Sequence, residues 1–135
     1  MSIDRGYSIK PGYMIVCDSC ENDGDHLQTN IVSGLTKEQA SLKIDLLNAI
    51  SDSGCDNLYE PDETELSSLQ SAVEAVMSSH GVVTDECWET FLWGEVIDLQ
   101  GKAEFYTRSI DSLKVFYVPF AVEFPDVTDQ FTNQQ

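Results

Sequence analysis

The chain is predicted to be an α+β domain in which helices pack on one face of an antiparallel sheet. Three observations carry that reading. A short apolar run and a run that alternates apolar with polar residues lie near the start, apolar residues recur at helical spacing through the middle, and runs rich in aromatic and β-branched side chains follow residue 103. The resulting order, an N-terminal β-hairpin, two to three central helices and a C-terminal β-hairpin, segregates strands from helices as α+β folds do. At 135 residues, 41% of them hydrophobic and 10% aromatic, the chain is long enough for one domain spanning 1–135 with a core of its own.

Each element has a local reason. Residues 13–17, YMIVC, are a short apolar strand, and 26–32, HLQTNIV, place Leu27, Thr29 and Ile31 on one face of a second. The polar stretch between them, with Gly24, suits a long hairpin loop. Thr36-Lys37-Glu38-Gln39 is a capping box: the Thr36 hydroxyl can accept the Gln39 amide while the Gln39 side chain returns to Thr36. From Ala40 to Ile50 apolar residues cover more than half of the following helix, which is therefore expected to be largely buried and to stop at Gly54.

Asp62 and Glu65 repeat the cap logic for a second helix with a narrower stripe of Leu66, Leu69, Ala72, Val73, Val76 and Met77, closed by Gly81. Thr84 is expected to cap a short third helix that ends at Trp93-Gly94. Beyond it AEFYTRSI and LKVFYVPFAVEF read as the C-terminal hairpin, turning at Asp111-Ser112, with Pro119 marking an edge strand or a bulge. Residues 126–135 read as a flexible tail.

Charge is where the sequence departs from an ordinary globular protein. Twenty-four Asp and Glu face seven Lys and Arg, a formal charge of −17. Between Lys43 and Lys102 there are thirteen acids and no Lys or Arg. Such a surface repels nucleic acid and anionic lipid and attracts basic partners, and no basic stripe exists to neutralise phosphates. The start has no basic n-region followed by an apolar h-region, so a cytoplasmic location is the default. No apolar run approaches the roughly 20 residues of a membrane helix.

Motifs for chemistry are sparse. Cys17-Asp18-Ser19-Cys20, with His26 six residues on and Cys55, His80 and Cys87 further away, supplies half of a zinc signature and lacks a second close ligand pair. The better reading makes Cys17 a core strand residue. No helix follows the pair to lower a thiol pKa as in thioredoxin-like proteins. Asp18, Cys20, Asn22 and Asp23 miss the register of an EF-hand. There is no P-loop, no G-x-G-x-x-G and no G-x-S-x-G. The sequence therefore predicts a non-catalytic protein without cofactor.

Residues 51–65, SDSGCDNLYEPDETE, hold Asp52, Asp56, Glu60, Asp62, Glu63 and Glu65 with no cation. Asp85, Glu86 and Glu89 form a second cluster. Acids three or four apart on a helix, such as Glu86 and Glu89, lie about 5–6 Å apart at Cβ, near the spacing of successive phosphates on one strand. Halophilic adaptation would spread acid evenly, and here it is concentrated. The clusters are expected to act as phosphate stand-ins on the basic nucleic-acid-binding surface of a partner, with Trp93 as an apolar anchor off the buried stripe of its helix.

In size and charge the chain resembles the small acidic inhibitors that phages encode against host defence nucleases, including restriction enzymes and CRISPR effectors. That resemblance implies anti-defence activity in a host cytoplasm. The alternative is a protein-binding adaptor or assembly subunit using its hairpins and Trp face, with acidity incidental.

Overall fold

The computed structural model describes residues 7–20, 27–53, 63–100, 109–125, 127 and 129–132. They form an α+β fold with strands at both ends of the chain and helices between, packed against an antiparallel sheet. The strands are β1 (Tyr7–Ile9), β2 (Gly12–Cys20), β3 (Leu27–Leu35), β4 (Ser109–Val118) and β5 (Val122–Phe124). The helices are α1 (Lys37–Ser53), α2 (Glu63–Ser79), α3 (Trp88–Gln100) and the single turn α4 (Asp129–Thr132), which falls where a tail was expected. No helix among the described residues is long and apolar enough to cross a membrane.

β2 is the central strand of a three-stranded sheet ordered β3-β2-β4, and β1 pairs with β5 in a separate two-stranded ribbon. Successive residues of a strand point to opposite faces, so Ile15, Cys17 and Ser19 of β2 turn inward and are fully buried. Met14, Val16 and Asp18 turn to the open face. α1 and α3 lie against β2 and β3, and α2 packs on both helices. The core joins Ile15 and Cys17 to Leu46, Leu47 and Ile50 of α1, Leu69 and Val73 of α2, and Phe91, Leu92, Val96 and Leu99 of α3.

Two of the expected helix ends form as read, while Gly54 and Asp62 lie outside the described residues. Gln39 N donates to Thr36 Oγ1 at 3.1 Å and Thr36 N to Gln39 Oε1 at 2.9 Å, completing the capping box at α1. At the end of α2, Val82 N donates to Met77 O and Gly81 N to Ser78 O, the paired bonds of a Schellman motif, with Gly81 left-handed at φ 66°.

Three details differ from the sequence reading. First, α3 does not end at Gly94 but runs on to Gln100, and Gly94 sits inside it without positive φ. α3 is apolar around much of its circumference because it lies between the sheet and the other two helices, and that packing outweighs one glycine. Second, Thr84 is not its cap. The Thr84 hydroxyl accepts Glu86 N in the preceding bend, and Cys87, whose carbonyl accepts Phe91 N, begins the helix.

Third, the chain does not turn at Asp111-Ser112 but continues through it in β4, and residues 103–108 of the expected first hairpin strand lie outside the described residues. β4 pairs with β2 and β5 with β1, both antiparallel. Asp111-Ser112 is not a turn but the site of a bulge, since Asp18 opposes Ser112 while Ser19 opposes Ile110, leaving Asp111 as the extra residue. The bulge sets both Ile110 and Leu113 against the core although they are three residues apart. Pro119 and Phe120 form the bend that ends edge strand β4.

Candidate partner-binding surface

The candidate acids divide by their place on the helices. Asp52 is exposed in the last turn of α1, where the helix dipole already places partial negative charge. Glu63 and Glu65 lie in the first turn of α2, where the helix dipole favours a carboxylate; Glu63 is exposed and Glu65 half-buried. Asp52 and Glu63 thus flank residues 54–62. Asp56, Glu60 and Asp62 lie outside the described residues. Glu63 also borders a shallow surface depression with Thr64, Ser67, Ser68 and Ser71 along the outer side of α2.

Asp85 and Glu86 occupy the bend before α3, and Glu89 its first turn; all three are exposed. The chain reaches them only after α2 has carried it roughly 24 Å from Glu63, at 1.5 Å per residue. Glu63 and Glu65 thus stand at the start of α2, and Asp85, Glu86 and Glu89 follow its end in the chain, beyond residues 80–84.

Two basic side chains on and beside the helices, Lys43 and His80, are engaged by other acids. Lys43 Nζ donates to Glu95 O at 2.7 Å and to Glu95 Oε1 at 3.3 Å, tying α1 to α3. His80 Nε2 lies 2.6 Å from Asp45 Oδ2 and ties the end of α2 to α1. No ion pair of Asp52, Glu63, Asp85, Glu86 or Glu89 appears among the described residues. α1, α2 and α3 all lack a basic residue in the last turn, the position where a cation would be most stabilising.

Trp93, expected as a free anchor, is half-buried and packs against the core, as does Trp88. Exposed aromatic side chains lie instead toward the C-terminal end, at Phe116 (46% exposed) and Tyr117 (66%) on opposite faces of β4, at Phe120 (67%), and at Phe124 and Phe131. Tyr117 meets Tyr13 edge to face, with centroids 5.3 Å apart. A signal for this exposure is present in the sequence: VFYV, residues 115–118, has no polar alternation, so on an edge strand one of its faces must meet solvent.

The cysteines separate by environment. Cys17 is buried in β2, and desolvation, with the nearby Asp18 charge, pushes its thiol up to about 11. Cys20 also lies in β2, and His26 and Cys55 lie outside the described residues. Among the described residues no three His, Cys, Asp or Glu side chains gather within metal-binding reach. Cys87 is exposed at the start of α3, and its thiol lies below the usual range because of the Thr90 hydroxyl 3.1 Å away, helped by the Thr90 and Glu89 backbone.

On the open sheet face, Asp18 accepts from Thr29 Oγ1 at 2.6 Å and Ser112 Oγ at 2.9 Å, clamping β3 and β4 to β2. These bonds, with the Lys114 charge, hold its carboxyl below the ordinary range. No protein-family model, curated protein or solved structure matches this chain.

Proposed function

We propose that this chain is a non-catalytic interaction protein that docks on the positively charged nucleic-acid-binding surface of a partner, its carboxylates standing where phosphates would. The observation that supports this most is the exposure of Asp52, Glu63, Asp85, Glu86 and Glu89 without an ion pair among the described residues, while Lys43 and His80 engage other acids. Keeping Asp52 at a helix C-terminus costs stability in the free protein. Local rules are broken in this way mainly where an external partner supplies the compensation. The roughly 24 Å of α2 would let the two acidic groups touch a basic channel at separated points.

In size and charge the chain resembles phage inhibitors of defence nucleases, and a nucleic-acid-guided or restriction complex is the partner class we propose. The test is to recover the partner by pull-down and measure affinity against salt for the native protein, for Glu63→Lys with Glu65→Lys, and for Asp85→Lys with Glu86→Lys. Affinity should fall steeply with ionic strength, and each charge reversal should weaken it at least tenfold. Binding that is flat across salt and unaffected by reversal removes the reading.

A second reading, an adaptor or assembly subunit, is favoured by the exposed Phe116, Tyr117 and Phe120. Tyr117→Ala with Phe120→Ala would then abolish partner recovery while the acid reversals leave it intact.

A further inference from the structure

A groove of about 800 Å³ runs between β3 and the β1/β5 ribbon, lined by residues of three regions. Thr29, Ile31 and Ser33 come from one face of β3 and Asn30 from the other. Because successive residues of a strand face opposite ways, a space bordered by both sets lies along the strand's edge and not over either face. Among the described residues no strand pairs with that edge, since β2 occupies the other side of β3. Lys10 N donates to Ser33 Oγ at 3.0 Å and fastens the ribbon to one end of the groove. From Thr29 to Ser33 the edge presents backbone donors and acceptors over roughly 14 Å, the length of a short strand.

The two sides of the groove differ chemically. On the open-face side of β3 the wall carries Ile31 between Thr29 and Ser33, and the ribbon adds the apolar Ile9 and Phe124. Toward the helices the wall carries Asn30, whose Nδ2 donates to Leu99 O, and Asp98 in the last turn of α3. Asp98 is exposed, has no ion pair among the described residues, and stands at a helix end that itself favours a cation. Among the described residues no Lys or Arg lines the groove.

We infer that this groove receives an extended peptide segment of a partner, added to β3 as a further strand, with alternating apolar and basic side chains. The alternation follows from the pleat: one set of side chains would lie on Ile9, Ile31 and Phe124, and the other would reach Asp98. A net charge of −17 favours a basic segment over an acidic one. The site is separate from the acids at the start of α2 and from those that follow it in the chain.

The experiment titrates the full chain with a blocked hexapeptide of alternating valine and lysine, followed by amide NMR. Three comparisons accompany it: the same peptide N-methylated on its backbone, Asp98→Asn, and Ile31→Ser. Saturable shifts are expected at Thr29–Ser33 and Asp98. N-methylation should weaken binding at least tenfold without changing charge, Asp98→Asn about two- to fivefold, and Ile31→Ser measurably. Equal binding of the methylated peptide, or shifts confined to Asp52, Glu63 and Asp85–Glu89, would overturn the inference. The readout amides lie outside those acidic groups, so its failure and that of the polyanion reading are told apart.

Discussion

Gly94→Ala tests the packing logic of the fold because the two ways of reading that glycine predict opposite signs. As a helix terminator it would hold a left-handed conformation, and a Cβ would destabilise by about 1–2 kcal/mol. As an interior residue of α3 it has ordinary helical backbone and an exposed position, and a Cβ built on it meets nothing within 4 Å. Alanine then gains through helix propensity and a less flexible unfolded chain, about 0.5–1 kcal/mol. At about 2.1 cal/mol/K per residue, 135 residues unfold with an entropy near 0.28 kcal/mol/K. The melting temperature should therefore rise by about 2–4 °C.

Gly81→Ala is the matched control. Its Cβ also meets nothing within 4 Å, yet φ is +66°, so the same substitution should lower the melting temperature by about 4–7 °C. Thermal unfolding followed by circular dichroism measures both. A lower melting temperature for Gly94→Ala would place the end of α3 where the sequence put it and refute the account of a helix carried through by burial.

Further outcomes are as specific. Leu92, fully buried in α3, should cost about 2–5 kcal/mol as Leu92→Ala in denaturant unfolding; a loss under 1 kcal/mol would deny it a place in the core. In alkylation mapped by mass spectrometry at neutral pH, Cys87 should react in the native protein and Cys17, with its thiol near 11, only on unfolding; early labelling of Cys17 contradicts its burial. The Asp18 carboxyl should titrate by NMR below its ordinary value near 3.9. A depressed folded value means stability present above the unfolded pKa and lost as pH falls through the folded one, so Asp18→Asn should show a shallower acid loss; an Asp18 titration at or above 3.9 would refute the clamp. Asp98→Asn should raise stability by a few tenths to about 1 kcal/mol through the helix dipole, and a destabilised variant would show that Asp98 has a structural partner.

The acidity of the candidate surface was legible in the residue order, because a chain without Lys or Arg from Ile44 to Gly101 has few cations with which to bury or pair its carboxylates. Which acids remain free was not. Asp45 and Glu95 read no differently from Asp52 and Glu89, and only the approach of His80 and Lys43 sets the first two apart. Trp93 shows the same limit: helical spacing turned it away from Phe91 and Leu92, and α3 turned out to be packed on more than one side.

Features fixed within a few residues of chain followed from sequence alone, because their energies are local. The Thr36–Gln39 capping box and the left-handed Gly81 need only their own side chains and backbone. Tertiary contact decided the rest. Asp111-Ser112 has turn chemistry, yet β2 offers nine residues of β4 a partner on both sides of it, and Asp111 becomes the extra residue of a bulge. The groove beside β3 exists because β5 pairs with β1 across more than a hundred residues of chain, a relation that depends on where the folded sheets come to lie.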